Sequence, residues 1–270
     1  MSKFYYLILL IAFLQACTSK EDLTVNIPDE FTIQLIEPIQ KGGSGLILHC
    51  TSVLKFPCRY DSLSYVVSQQ EGKWTIDLGK LPSKQNCDDI PIHIQSNILL
   101  PDIGLNEAFD FTISLDHRIL NEGTITQHED YYDIALTQDK GIILNNQRVN
   151  KIPHKMIWGW AYSKEQKKEN AGSTEAEITE LLKKLKNEME AFCGTQKLQP
   201  GFYSYFDIGE DKTIRLKDIP TVKNEVISFY YKHEYSEEII FSFFEQILPN
   251  YNNLIAYRIQ TSDGRIFESL

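Results

Sequence analysis

The sequence predicts an Ig-like, antiparallel β-sandwich over residues 31–150, followed by an α+β domain of ferredoxin-like plan over residues 151–270. Three observations carry that expectation. Between Phe31 and Val149, short apolar runs alternate with polar residues and are separated by turn formers. After Lys151, two stretches change to a spacing of three to four residues. The charge is also split: residues 17–150 carry 10 Lys+Arg against 19 Asp+Glu, and residues 151–270 carry 16 against 18. The boundary falls near Asn150, where Lys151-Ile152-Pro153-His154 reads as a linker.

The elements follow in order. Residues 32–36 alternate as a half-buried strand, and residues 45–50 form an apolar run behind the turn Gly42-Gly43-Ser44-Gly45. Further strands are expected at 63–67, 74–78, 90–94, 109–115, 132–136 and 141–144. Pro91 cannot donate to a ladder, which places its strand on a sheet edge. In the second half, residues 156–162 alternate large and small side chains. Thr174 and Glu177 make a capping box for a helix whose apolar face is Ile178, Leu182, Leu185, Met189 and Phe192, with Gly194 just past its end. Residues 202–208 and 212–216 are expected to pair across Gly209-Glu210-Asp211, and 226–231 to form another strand. Ser236 caps a second helix with Ile239, Ile240, Phe243, Phe244, Ile247 and Leu248 on its face, ended by Pro249. Residues 254–259 and a short strand after Ser262-Asp263-Gly264 close the chain.

The N-terminus carries an address. Lys3 is followed by an unbroken apolar run from Phe4 to Phe13, too short for the roughly 20 residues of a spanning helix but right for a secretory signal. The run ends in Leu14-Gln15-Ala16-Cys17, which resembles the lipobox of bacterial lipoproteins. The resemblance covers residues 1–17. It implies removal of residues 1–16, palmitate-type acylation of Cys17 as the new N-terminus, and a linker over residues 17–30. It further implies a lipid-anchored protein of the cell envelope, in the outer membrane, since Thr18 stands where Asp would mark inner-membrane retention. Lys20-Glu21-Asp22 resembles the export tag of some surface lipoproteins. This favours the cell surface, with the periplasmic face as the alternative.

Composition narrows the partners. The chain of 270 residues has 27 Lys+Arg against 37 Asp+Glu, a net charge of −10. That argues against a nucleic-acid surface, which needs clustered basic residues. No metal site or cofactor is expected, because Cys-x-x-Cys and paired His spacings are missing. An envelope location permits disulfides. Cys58–Cys87 is the expected pair, with Cys50–Cys58 as competitor, and Cys50 and Cys193 are otherwise buried thiols.

Two functional readings come from different classes. The preferred one is a non-catalytic binding or assembly module for an envelope protein or glycan. Its candidate site is the aromatic face of strand 156–162, where Trp158 and Trp160 share a side with Tyr230 and Arg258 of neighbouring strands. Large apolar patches on monomers are rare, which favours the other state of this face, buried as core or against the sandwich. The alternative is an envelope hydrolase drawing on Asp116, His117, His128, Glu129 and Asp130. No Gly-x-Ser-x-Gly elbow or other retained motif supports it, so no catalytic residue is assigned.

Overall fold

A computed structural model of the protein describes residues 28–39, 45–56, 62–70, 73–79, 90–164, 175–194, 197–251 and 253–269. The signal segment, Cys17, Cys58, Cys87, the 42–44 part of the glycine turn and Thr174 lie outside the described residues, as does the side chain of Ile178.

The N-terminal strands are β1 (Phe31–Ile36), β2 (Ile47–Phe56), β3 (Tyr65–Gln70), β4 (Lys73–Leu78), β5 (Ile92–Leu99) and β6 (Ala108–Leu115). They continue with β7 (Ile119–Gln127), β8 (Tyr131–Leu136), β9 (Ile142–Leu144) and β10 (Arg148–Asn150). Then come β11 (Met156–Ser163), α1 (Glu175–Cys193), β12 (Gly201–Tyr203), β13 (Phe206–Ile208), β14 (Ile214–Leu216) and β15 (Val226–Lys232). Helix α2 (Glu237–Ile247), a 3-10 turn at Leu248–Asn250, β16 (Ile255–Thr261) and β17 (Ile266–Ser269) end the fold.

The strands form three sheets. A four-stranded sheet, β5-β2-β1-β9, faces the β8-β7-β6-β4 part of a nine-stranded sheet. Between them lies the first core, built by the alternation along each strand: Ile33, Leu35, Leu48 and Cys50 from one side, Ile76, Phe111, Ile113 and Ile134 from the other. This two-sheet packing is the expected sandwich, and β5 behind Pro91 is the expected edge. The sheets are not purely antiparallel. β1 runs parallel to β9, β4 to β6, and β10 to β12, because the chain changes sheets between these strands instead of turning back as hairpins.

The chief correction lies past residue 150. β12, β13 and β14 do not join the C-terminal sheet. They extend the nine-stranded sheet from β10, with Asn150 paired to Tyr203. The C-terminal sheet is therefore β15-β11-β16-β17, fully antiparallel. Its element order, β-α-β-α-β-β once the excursion is set aside, is not the β-α-β-β-α-β of the expected plan. Strand pairing also runs straight across the expected boundary at 150.

Each face of the C-terminal sheet is covered. Ile157, Ala161, Phe229, Tyr257 and Ile259 face the helices, meeting Leu182, Leu185 and Met189 of α1 and Ile240 and Phe244 of α2. Gly159 allows the close approach of the paired strand β16: a Cβ there would lie 2.1 Å from the carbonyl oxygen of Arg258. Gly194 adopts φ 80° and its N–H donates to the Glu190 carbonyl at 2.9 Å, closing α1 as expected. In α2, Ile239 is 48% exposed, because residues 239 and 240 point about 100° apart and only Ile240 reaches the core. Ser236 occupies the N-cap but its side chain makes no capping bond. The opposite face of the sheet forms a third core with β12–β14.

Candidate functional site

The aromatic candidate face is closed, the buried of its two expected states. Met156, Trp158 and Trp160 pack against Tyr203, Phe206, Ile208, Ile214 and Leu216. Trp158 and Trp160 are each only 3% exposed, and the Trp158 ring lies 5.3 Å from that of Phe206. The half-buried Tyr230 donates its hydroxyl to the Lys212 carbonyl. Arg258 pairs with Asp218 at 3.1 Å and Glu268 at 3.5 Å. The four residues do share one side of the sheet, but the β12–β14 excursion covers it. Trp158 and Trp160 are core.

The acid and histidine set is divided. His117 pairs with Asp77 at 3.0 Å at one end of β7; His128 pairs with Asp133 at 3.3 Å and stacks on Tyr131 at the other. Nine residues of strand separate the two groups by roughly 30 Å. Asp116 and His117 both have positive φ, the geometry of a tight turn. Cys50 and Cys193 are free and buried, as expected, and burial pushes both thiols up to about 12. Among the described residues, no group of three or more His, Cys, Asp or Glu is placed to hold a metal.

The structure instead draws attention to a junction. Beyond the end of β1, residues 37–39 leave the sandwich and touch three distant segments. The Glu37 N–H donates to Ser204 Oγ at 2.7 Å, and the Ile39 N–H to the Tyr205 hydroxyl at 3.1 Å. The Glu37 carboxylate accepts from the Ile152 N–H at 3.0 Å and from the Tyr132 hydroxyl at 3.4 Å. The Ile39 carbonyl lies against the Gly264 turn between β16 and β17. The sandwich, the excursion, the 151–155 connection and the C-terminal sheet thus meet here.

Two clefts open at this junction. One, of about 390 Å³, is lined by Glu37, Asp102, Gln127, Tyr132 and His154, with apolar walls from Pro38, Leu46 and Pro101. Burial raises the Glu37 carboxyl above the usual range, while the Ile152 N–H, the Lys151 charge and the Tyr132 hydroxyl pull it back. The other cleft, of about 720 Å³, is lined by Lys155, His233, Tyr235, Glu237 and Arg265. His154 and Ser262 line both, so the two adjoin. Both volumes fall within the roughly 300–1,000 Å³ of small-ligand sites. Polar groups fixed on strand ends and backbone suit such a groove to noncovalent recognition.

None of Glu37, His233 and Arg265 stands in a sequence motif, and His154 reads as part of a linker. Their proximity arises from the excursion and the 37–39 crossing, which bring together residues more than 100 positions apart. Comparison of the chain with protein-family models, curated proteins and solved structures finds no match.

Proposed function

We propose that the chain is a lipid-anchored protein of the bacterial cell envelope, held in the outer membrane through Cys17, that acts without catalysis as a binding or assembly module for an envelope protein or glycan. The observation that carries the binding half of this reading is the pair of adjoining clefts at the junction of the sheets, with His154 and Ser262 at their meeting. The lipobox Leu14-Gln15-Ala16-Cys17 carries the anchoring half. The cell-surface side is favoured over the periplasmic one on Lys20-Glu21-Asp22. Cys58–Cys87 remains the proposed disulfide.

For the fold, we group the two-sheet module with Ig-like sandwiches in the broad sense of facing sheets that exchange strands. The C-terminal layer shares one unit with the ferredoxin-like plan, a split β-α-β in which β15 and β16 flank β11.

Metabolic labelling with an alkyne analogue of palmitate tests the anchor. The native protein takes the label and partitions with membranes, and Cys17→Ala does neither. An unlabelled native protein in the soluble fraction would overturn the reading. Protease shaving of intact cells then separates the two faces. Turnover of a glycan or peptide by the purified protein, abolished by Glu37→Gln, would replace the binding module with a lipid-anchored hydrolase.

A further inference from the structure

The larger cleft, beside the N-terminus of α2, has a composition that narrows its ligand. Its charged lining is mixed, with Lys155 and Arg265 against Glu237, Glu238 and Asp263. The central ions are already paired with one another. Arg265 Nη2 lies 3.1 Å from Glu237, and its Nε 3.2 Å from Asp263. Asp263 is also bonded by the Thr261 hydroxyl, which in turn accepts from the Arg265 N–H. The array is fixed on a strand end, a turn and the first turn of a helix.

Such a lining disfavours simple ions. An anion would meet the helix N-terminus but also three carboxylates; a cation would meet Arg265 and Lys155. A neutral ligand that both donates and accepts encounters neither repulsion. A guanidinium between two carboxylates presents donors and lone pairs side by side, and a hydroxyl uses both. Tyr235, 40% exposed and stacked on Phe192 at 4.5 Å, adds an aromatic ring at the rim. An aromatic ring suits the C–H face of a pyranose.

A second observation is independent of the ion pairs. His233 lines the same cleft, is only 5% exposed, and its Nδ1 has no hydrogen-bond partner. A buried polar atom left unpaired is uncommon and costly. Burial also lowers the His233 pKa, with the Tyr235 backbone opposing, which favours the neutral ring with its one donor and one acceptor.

We infer that this cleft is a saccharide-binding site: a neutral sugar unit bridges the Asp263–Arg265–Glu237 array and His233, with Tyr235 against its ring. The inference rests on the binding-module reading and names the glycan as its ligand.

The test uses the full-length protein in detergent. A panel of neutral disaccharides built from hexoses and N-acetylhexosamines is screened by saturation-transfer NMR, with inorganic phosphate and calcium as controls. The expected result is saturable binding of at least one disaccharide, with a shift of the His233 ring nitrogens on titration. Tyr235→Ala and Asp263→Asn each weaken that binding at least tenfold without moving the thermal midpoint. If Asp263→Asn lowers the midpoint, the exposed Tyr235→Ala alone decides. Binding of phosphate or calcium at this cleft in place of sugar overturns the inference, as does a panel with no binder. Sugar binding that Glu37→Gln removes and Tyr235→Ala spares also overturns it, while leaving the binding-module reading intact.

Discussion

Phe202 and Tyr203 are consecutive residues of β12 that face different cores. Phe202 packs into the sandwich, and Tyr203 packs beneath Trp158 and Trp160. The alternation of a strand directs neighbouring side chains to opposite faces, so β12 joins the two halves through one backbone. The expected consequence is that they unfold together. Urea unfolding followed by fluorescence of Trp74 in the sandwich, and separately of Trp158 and Trp160, should give coincident transitions. Phe202→Ala, a large-to-small change in a buried site, should cost about 3 kcal/mol and shift both signals equally. Two separated transitions would show that the modules are energetically independent.

Gly159 has no room for a side chain where β11 pairs with β16. An added Cβ would lie 2.1 Å from the Arg258 carbonyl oxygen and 2.9 Å from the Ile259 Cα, both backbone atoms of the paired strand. Neither can move without opening the β11–β16 ladder. Gly159→Ala should therefore cost at least ~2 kcal/mol, the upper range for overpacking, measurable as a lower urea midpoint. Gly194→Ala meets no atom within 4 Å, and its penalty comes only from φ 80°, about 1 kcal/mol. Equal midpoints for the two variants would contradict this account.

Cys50 and Cys193 sit in separate cores and cannot meet without unfolding. With both thiols pushed up to about 12 by burial, thiolate is scarce and access is closed at ordinary pH. Iodoacetamide near pH 8 should leave both unmodified in the native protein and alkylate both in denaturant. Peptide mapping distinguishes them from the remaining cysteines. Alkylation of either within minutes in the native state would place it in an opening segment instead.

The sequence made most strands legible because their core-facing residues are apolar and regularly spaced. β7 escaped for an identifiable reason. Its core-facing positions include Asn121 and Gly123, which read as turn residues, although both are buried. Asn121 donates to the Lys140 carbonyl, and Gly123 leaves room for the Phe111 ring, whose tip would lie 2.5 Å from a Cβ. The path of β12–β14 was hidden for another reason. Local pattern predicted one strand over 202–208 pairing with 212–216. Only Phe206–Ile208 pairs with Ile214–Leu216, because the chain turns at Ser204-Tyr205 and Gly201–Tyr203 pairs back on β13. Which sheet they join depends on Asn150 and Tyr203 meeting across 53 positions. The junction clefts inherit that difficulty, since Glu37, Ile152 and Ser204 meet only once that path is known.

Glu37 makes the junction sensitive to pH, and the sign is fixed by its surroundings. Burial raises its folded pKa above the ordinary carboxylate value, so the folded state holds this proton more tightly than the unfolded chain does. The resulting stabilisation is complete below the unfolded pKa and is lost as pH rises through the raised folded value. Gln at this position keeps one oxygen for the Ile152 N–H, turns its amide N–H toward the Tyr132 hydroxyl oxygen, which can accept it, and does not ionise. Wild type should therefore lose stability relative to Glu37→Gln as pH rises above the ordinary carboxylate range, all other groups titrating alike in both proteins. Lys151 favours the ionised carboxylate, so Lys151→Met should carry the loss to higher pH. Urea midpoints of the three proteins across that rise in pH provide the measurement. Parallel curves for wild type and Glu37→Gln would show that the carboxyl is as well solvated in the folded protein as in the unfolded chain.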